Sequence, residues 1–478
     1  MERTIFFGFY FLALLVLALF GLHKYYLLYL YRKYRDRHPP RPAEPEEWPE
    51  VTVQLPIYNE KYVIKRLLKA VAALDYPREK LHIQVLDDST DSTVRLTARL
   101  VARLRRHGYR IDHLRRGSRV GFKAGALAYG LRHSKAPFLA IFDADFVPHR
   151  QFLKQTIPYL MQPGIGMVQT RWGHINRDYS LLTRLQAIFL DAHFLIEHLA
   201  RNRSGRFFNF NGTAGVWRRE AIEQAGGWEH DTLTEDLDLS YRAQLKGWKF
   251  LFLPQVVCPA ELPVEMNAYK GQQFRWAKGS VQTALKLIPR IWRSNFPLRV
   301  RLEAIIHLSN NFAYLMLAIP AFLMIPILRY QIEAHLTWTF GVYLFMFVSA
   351  TLSVMLYYAT AIEAAMGKKW PYILYLPFLM ALGIGLSLNN GWAAISALLG
   401  DQGEFNRTPK FRIEKRQDSW RRKVYRSRGQ GLHVLEFLLA AYFTYGMAYF
   451  LHRGYFVSIP FFLLFQFGFL YIGFQSLA

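Results

Sequence analysis

Leu81-His-Ile-Gln-Val-Leu86 runs directly into Asp87-Asp88-Ser89-Thr90, so a short apolar stretch closes on a pair of carboxylates. A run of this length bounded by turn formers reads as a buried strand. Phe138-Leu-Ala-Ile-Phe142, closed by Asp143-Ala144-Asp145, repeats the arrangement. Val51-Thr-Val-Gln-Leu55 upstream and Ile165-Gly-Met-Val-Gln169 downstream read as two more strands. The intervening residues 63–73 and 93–106 carry helical periodicity. Strands alternating with helices predict an α/β domain with a mostly parallel sheet, whose ligands bind at the carboxyl ends of the strands. Both acidic clusters fall at such ends.

Two further clusters lie downstream. Thr234-Glu235-Asp236 opens the helical pattern 237–245, and Gln272-Gln273-Phe274-Arg275-Trp276 joins two amides, a guanidinium and an indole. Together the four clusters suit transfer of a sugar from a nucleotide sugar, which must hold base and ribose, neutralise a departing diphosphate and deprotonate an acceptor hydroxyl. Asp87 and Asp88 can accept hydrogen bonds from the base or ribose. Asp143 and Asp145 place hard oxygen ligands on one turn, where Mg²⁺ or Mn²⁺ can meet a diphosphate. Lys123, among Gly121 and Gly125, can reach a phosphate; it also fits a helix N-terminus. Asp236, flanked by Glu235 and near Trp228, is the expected general base, with a pKa raised towards working pH. It also fits a helix cap, and the two roles are compatible. Gln272, Gln273, Arg275 and Trp276 offer an acceptor platform and a diphosphate contact.

Of 478 residues, 52% are hydrophobic, yet 60 are Lys or Arg, which suits a membrane protein with a large aqueous domain. A formal charge of +25 invites a nucleic-acid reading. The basic residues cluster instead beside apolar segments, at Lys24, Arg32, Lys33, Arg35 and Arg37 and from Arg407 to Arg428, as cytoplasmic membrane flanks do. No basic patch interleaved with aromatics is present, so no nucleic-acid partner is expected. The single cysteine, Cys258, excludes an intrachain disulfide and a multi-cysteine metal site and reads as a buried thiol.

Residues 1–30 read as a retained transmembrane helix, because the charges follow the apolar run instead of preceding it. Residues 31–50 form a basic, Pro-rich linker, 51–279 the sheet domain, and 280–300 a basic amphipathic helix for the bilayer interface. Residues 301–478 hold apolar blocks at 305–328, 337–361, 371–399, 433–451 and 455–475. With a cytosolic sheet domain, three crossings before the basic 401–430 segment would leave it outside, against the positive-inside tendency. The 371–399 block carries Asn389-Asn390-Gly391 and therefore reads as re-entrant or interfacial, leaving five full crossings.

In these motifs the chain resembles membrane-integrated family 2 glycosyltransferases with D, D-x-D, T-E-D and Q-x-x-R-W signatures, and within them the cellulose-synthase-like mannan and glucan synthases. Supporting stretches are Gln54–Glu60, Val85–Asp91, Lys123–Leu127, Ile141–Phe146, Phe208–Trp217 and Gly226–Trp228. The resemblance implies a GT-A-like domain, with Asp88 on the nucleotide and Asp143 and Asp145 at diphosphate and metal. It implies Asp236 as catalytic base, and Gln272, Arg275 and Trp276 on acceptor and diphosphate. Phe405-Asn-Arg-Thr408-Pro-Lys410 resembles the gating loop of cellulose synthases, which would add Thr408 and Lys410 to the donor site. It departs from that pattern at Arg407 and Phe411. The expected protein is a multi-pass membrane enzyme with a cytoplasmic catalytic domain. It would be a processive, inverting β-glycosyltransferase that uses UDP-glucose or GDP-mannose and threads a growing glycan through the membrane. The alternative is single transfer to a ceramide, diacylglycerol or polyprenyl acceptor. Membrane lipids are expected partners, and accessory subunits are left open.

Overall fold

The computed structural model describes every residue except Met1, Lys368, Lys369, Gln402, Glu404, Phe405, Asn406, Arg428, Gln430 and Ala478. Seven strands form one sheet: β1 (Val51–Ile57), β2 (Leu81–Asp87), β3 (Arg110–Leu114), β4 (Phe138–Ile141), β5 (Ile165–His174), β6 (Gly215–Arg218) and β7 (Lys249–Ala260). Their order is β3-β2-β1-β4-β6-β5-β7. Only β6 runs antiparallel to its neighbours, β4 and β5. All four expected strands fall in this sheet, as β1, β2, β4 and β5. Val51 pairs with both Leu81 and Phe138, so the carboxyl ends of β1, β2 and β4 finish side by side. The acidic clusters are thereby brought to one edge.

Alternation along the strands divides the core. Val53 and Leu55 of β1, Ile83 and Val85 of β2, and Ala140 of β4 face a layer holding Ile64, Leu67 and Ile157. Leu86, Leu139 and Ile141 face the opposite layer, with Leu127, Phe208 and Trp217. Leu27, Leu28 and Leu30 of the N-terminal helix and Tyr357 and Ala361 of a later apolar helix complete that second layer. The sheet is thus packed directly onto apolar helices instead of hanging from a tether.

Among the described residues, six helices are long and apolar enough to cross a membrane: Phe6–Tyr34, Phe312–Glu333, Gly341–Met366, Pro371–Leu398, His433–His452 and Ile459–Leu477. The fourth is broken, with helices at Leu376–Gly385 and Ser387–Leu398. Its second half lies against the helix Met266–Trp292, where the Asn389 amide donates to the Lys270 carbonyl at 3.0 Å. The amphipathic segment expected from residue 280 is not a separate element. It continues the Met266–Trp292 helix, so the expected boundary at 279/280 falls inside one rod. Val281, Ala284, Leu287 and Ile291 bury one stripe of it, while Leu285 and Trp292 are exposed.

Residues 407–427 of the basic segment lie over the carboxyl edge of the sheet. Arg66 reaches Glu414 at 2.9 Å, Arg416 donates to the Asp178 carbonyl at 2.9 Å, and the Tyr425 hydroxyl meets Asp91.

Candidate active site

The cleft at this edge is lined from four sources. Glu60, Asp88, Asp143 and Asp145 come from the ends of β1, β2 and β4. Lys123, Glu235 and Asp236 come from the first turns of helices Phe122–Arg132 and Glu235–Leu245. Gln272, Arg275 and Trp276 come from the long helix, and Arg407, Thr408 and Lys410 from the segment above it. A helix N-terminus presents unpaired N–H groups and a partial positive charge, which favours anions nearby.

Each carboxylate of the D-x-D turn is met by a lysine. Lys123 Nζ lies 2.6 Å from Asp143 and donates to the Gly212 carbonyl at 2.9 Å. Lys410 Nζ lies 2.7 Å from Asp145. Arg275 donates to the Thr408 hydroxyl at 3.0 Å, joining the long helix to the overlying segment. Arg407 pairs with Glu60 at 3.1 Å. Gly212, at φ +79°, has to be glycine twice over: a Cβ there would stand 2.9 Å from Asp236 Oδ2.

Burial and crowding of like charge set the acidities. Burial pushes Asp236 up to about 7, and the neighbouring Glu235 charge adds to the rise against Lys123. Glu235 rises for the same first reason. Burial also raises Asp143, with Asp145 adding to it, and takes Glu60 up to about 8 in spite of Arg407. Burial alone would lower Lys123, but Asp143, Glu235 and Asp236 hold it above its ordinary value. Burial brings Arg275 down to about 10.

Two expected site residues lie outside the lining. Asp87 is buried, with its carboxylate accepting from the Ser89 amide at 2.9 Å and meeting His113 at 2.7 Å. Burial works to raise it, yet His113 and Ser89 hold it below the usual carboxylate range. Its neighbour Asp88 lines the cleft and is gripped by Arg116 through Nε at 3.0 Å. Gln273 is buried on the far side of its helix, with its amide nitrogen lacking a partner among the described residues. Helical rotation explains the split, since adjacent residues face about 100° apart while 272, 275 and 276 share a face. Phe405 and Asn406 of the loop motif lie outside the described residues. Conversely Glu60, Asn211, Glu261 and Arg407 belong to the cleft without having been singled out as site residues. Glu60 follows β1 as Asp88 follows β2, and that position was the available signal.

Residues 49–279 match the model of the family described as glycosyltransferase like family 2. These residues form a family 2 glycosyltransferase domain. A probable glucomannan 4-beta-mannosyltransferase 7 of Oryza sativa subsp. japonica is 46% identical over 246 residues, covering 50% of this chain and 42% of its own. Glucomannan 4-beta-mannosyltransferase 2 of Arabidopsis thaliana is 44% identical over 252 residues, covering 52% and 47%. The matches thus span about half the length of these relatives. Among solved structures, the mannosyltransferase PcManGT of Pyrobaculum calidifontis, in complex with GDP-Man and Mn2+, shares the fold at a TM-score of 0.55 and 22% identity, covering 81% of this chain and 98% of its own.

The donor set fits a divalent cation. Asp143 and Asp145 are hard oxygen ligands at the cleft, where burial and the neighbouring Asp145 charge raise the pKa of Asp143. A second group of acidic side chains, Glu229, Asp231 and Asp238, converges elsewhere. Lys286 already fills it, at 2.5, 2.8 and 2.9 Å, and so ties the helix of Asp236 to the long helix.

Proposed function

We propose that the chain is an inverting, processive hexosyltransferase that lengthens a β-linked polysaccharide, with GDP-mannose as donor and a β-1,4-mannan or glucomannan as product. The observation that carries the chemistry is Asp236, a carboxylate pushed up to about 7 by burial and Glu235, facing the same cleft as the Lys123–Asp143 pair. Kinship with glucomannan mannosyltransferases supports the sugar, the linkage and a polymeric product over single transfer to a lipid.

Asp236 takes the proton of the acceptor hydroxyl as its oxygen attacks the anomeric carbon. The bond from that carbon to the diphosphate breaks on the opposite face, so the product is β-linked and the nucleoside diphosphate leaves with the electron pair. Lys123 and Arg275 stand where charge accumulates on the leaving group. Asp88 holds the nucleoside, and Gln272 and Trp276 hold the acceptor, the indole by stacking on a sugar ring. Lys410 and Thr408 close over the donor. A divalent cation, Mg²⁺ or Mn²⁺, would be held by Asp143 and Asp145 and would neutralise diphosphate charge.

The sheet domain is assigned to the cytosol. Because 407–427 packs on it, an even number of crossings must separate residues 300 and 401. With Phe312–Glu333 and Gly341–Met366 both crossing, the broken segment Pro371–Leu398 returns to the side it entered from. Full-length protein in lipid, given radiolabelled GDP-mannose or UDP-glucose with either cation, tests the reading. Insoluble label released by a β-mannanase is the expected result. Label confined to the organic phase would instead establish a glycolipid product, and label from UDP-glucose alone would overturn the donor.

A further inference from the structure

Asn211 lines the cleft at a point that the roles above leave unassigned. It precedes Gly212, whose carbonyl binds Lys123 and where an added Cβ would stand 2.9 Å from Asp236 Oδ2. It therefore sits between the diphosphate end of the cleft and the base, where the sugar being transferred must lie.

Two histidines grip its side chain. His198 Nε2 lies 2.7 Å from Asn211 Oδ1 and 3.0 Å from the Asn209 carbonyl. Asn211 Nδ2 lies 2.9 Å from His193 Nε2, and His193 Nδ1 lies 3.4 Å from Glu197. The proton positions follow by elimination. A carbonyl only accepts, so His198 carries its proton on Nε2, and the Asn211 atom facing it must be the oxygen. The Asn211 nitrogen then donates to His193 Nε2, which leaves the His193 proton on Nδ1, aimed at Glu197. Burial, with His193 and Arg201 nearby, holds His198 well below its ordinary pKa, in keeping with a neutral ring. Both histidines lie in a turn of π-helix, His193–His198, a local widening that often marks functional positions. The relay uses one amide hydrogen of Asn211 and leaves the other to the cleft.

We propose that Asn211 reads a hydroxyl of the donor hexose, and that His193 and His198 are positioning residues that lock its amide in one orientation. The assignment rests on the nucleotide-hexose reading of the cleft. One hydrogen bond to a neutral hydroxyl, with its partner left buried and unpaired when lost, corresponds to about tenfold in affinity.

The test compares binding of GDP and of GDP-mannose to full-length protein and its variants, alongside transfer rates. In His193→Phe, the extra affinity contributed by the sugar should fall about tenfold, while GDP affinity stays unchanged. His193→Gln, which can accept from Asn211 and donate to Glu197, should restore most of it. Asn211→Ala should lose the same increment, and adding His193→Phe to it should cost nothing more. An unchanged sugar increment in His193→Phe, additive losses in the double variant, or equal loss of GDP binding would each overturn the proposal. A wild-type protein that binds GDP-mannose more tightly than GDP yet transfers no hexose would instead overturn the transferase reading and leave the Asn211 result standing.

Discussion

Among the described residues, two clusters of carboxylates are built in opposite ways. At the junction between the N-terminal helix and the sheet domain, the carboxylates are held by basic partners. Glu197 holds Lys24 at 2.6 Å and Arg201 at 3.1 Å, and Glu303 holds Arg201 at 2.9 Å and His23 at 3.0 Å. Although burial opposes it, these partners hold Glu303 down to about 2 and Glu197 well below the ordinary range. In the cleft, Glu60, Asp143, Glu235 and Asp236 are all raised. Among the described residues, Asp236 draws hydrogen bonds only from backbone amides of its own helix, that of Leu237 at 2.9 Å. Satisfied charge marks the part that holds the fold together. Carboxylates raised by burial and by one another mark the part that waits for a substrate.

The largest effect that separates the two clusters is expected from Asp236→Asn. Loss of a general base should lower transfer by about 10³-fold, with GDP affinity within about twofold of wild type. Relief of a buried, crowded charge should also raise the thermal unfolding midpoint at alkaline pH, a gain in stability at the expense of function. Turnover close to wild type would remove Asp236 from its role. A midpoint that falls would break the contrast itself.

Arg201→Met puts the same question to the other cluster. Arg201 is 2% exposed and bridges two buried glutamates, so truncating it leaves charge uncompensated at a cost of about 3–5 kcal/mol. A denaturant or thermal melt should show a large loss of stability, whereas transfer per folded molecule should fall far less than in Asp236→Asn. A stable but inactive variant would mean that the junction serves catalysis and not the fold.

How much of this was legible beforehand differs between backbone and site. Strands β1, β2, β4 and β5 are apolar runs closed by polar residues, and their period betrays them. Arg110-Ile-Asp-His-Leu114 is an edge strand too polar to stand out, and Gly215–Arg218 is too short. The residues that follow strands or open helices, Asp88, Lys123, Asp143 and Asp236, could be placed because topology alone brings them to one edge. Asp87 and Gln273 could not be excluded, because which of two adjacent identical residues faces the cleft depends on strand pleat and helix rotation. The His193–Asn211–His198 clamp was invisible, since it joins a helix to a distant loop and no local pattern announces it.

A subtler break is expected at Gly279 on the long helix. A Cβ there would stand 2.6 Å from Thr234 Cγ2 and 2.8 Å from the Thr234 backbone nitrogen, and backbone cannot yield cheaply. Leu233 and Thr234 are also bonded to Gln282 and Thr283 on that helix, at 2.9 and 3.2 Å. Gly279→Ala should therefore shift Glu235 and Asp236 without touching either. A fall of about 10–100-fold in kcat, with little change in the KM for the donor, would show that the long helix sets the position of the base. A raised KM with normal kcat would assign it to donor binding instead.

The smallest and most general test varies pH alone, because the two clusters must respond with different signs over different ranges. A base has to be unprotonated to act, so kcat/KM should climb about tenfold per pH unit on the acid side of pH 7 and level off above it. Stability should move the other way. Asp236 and Glu60 bind protons more tightly folded than unfolded, so the stability they contribute is full below their unfolded pKa, near 4, and is lost as pH rises through about 7 and about 8. Glu197 and Glu303 are depressed, so their contribution is full above the unfolded value and is lost only as pH falls towards about 2. Between about pH 5 and pH 8 Glu197 and Glu303 stay ionised and add no slope, so the decline in the unfolding midpoint expected there is that of the raised cleft carboxylates. Asp236→Asn should flatten part of that decline, and Arg201→Met should lower the whole curve without changing its slope in this window. A midpoint that rises with pH across the window would mean that the cleft carboxylates are satisfied in the folded protein. The distinction between a cluster that holds the fold and one that waits for substrate would then fall.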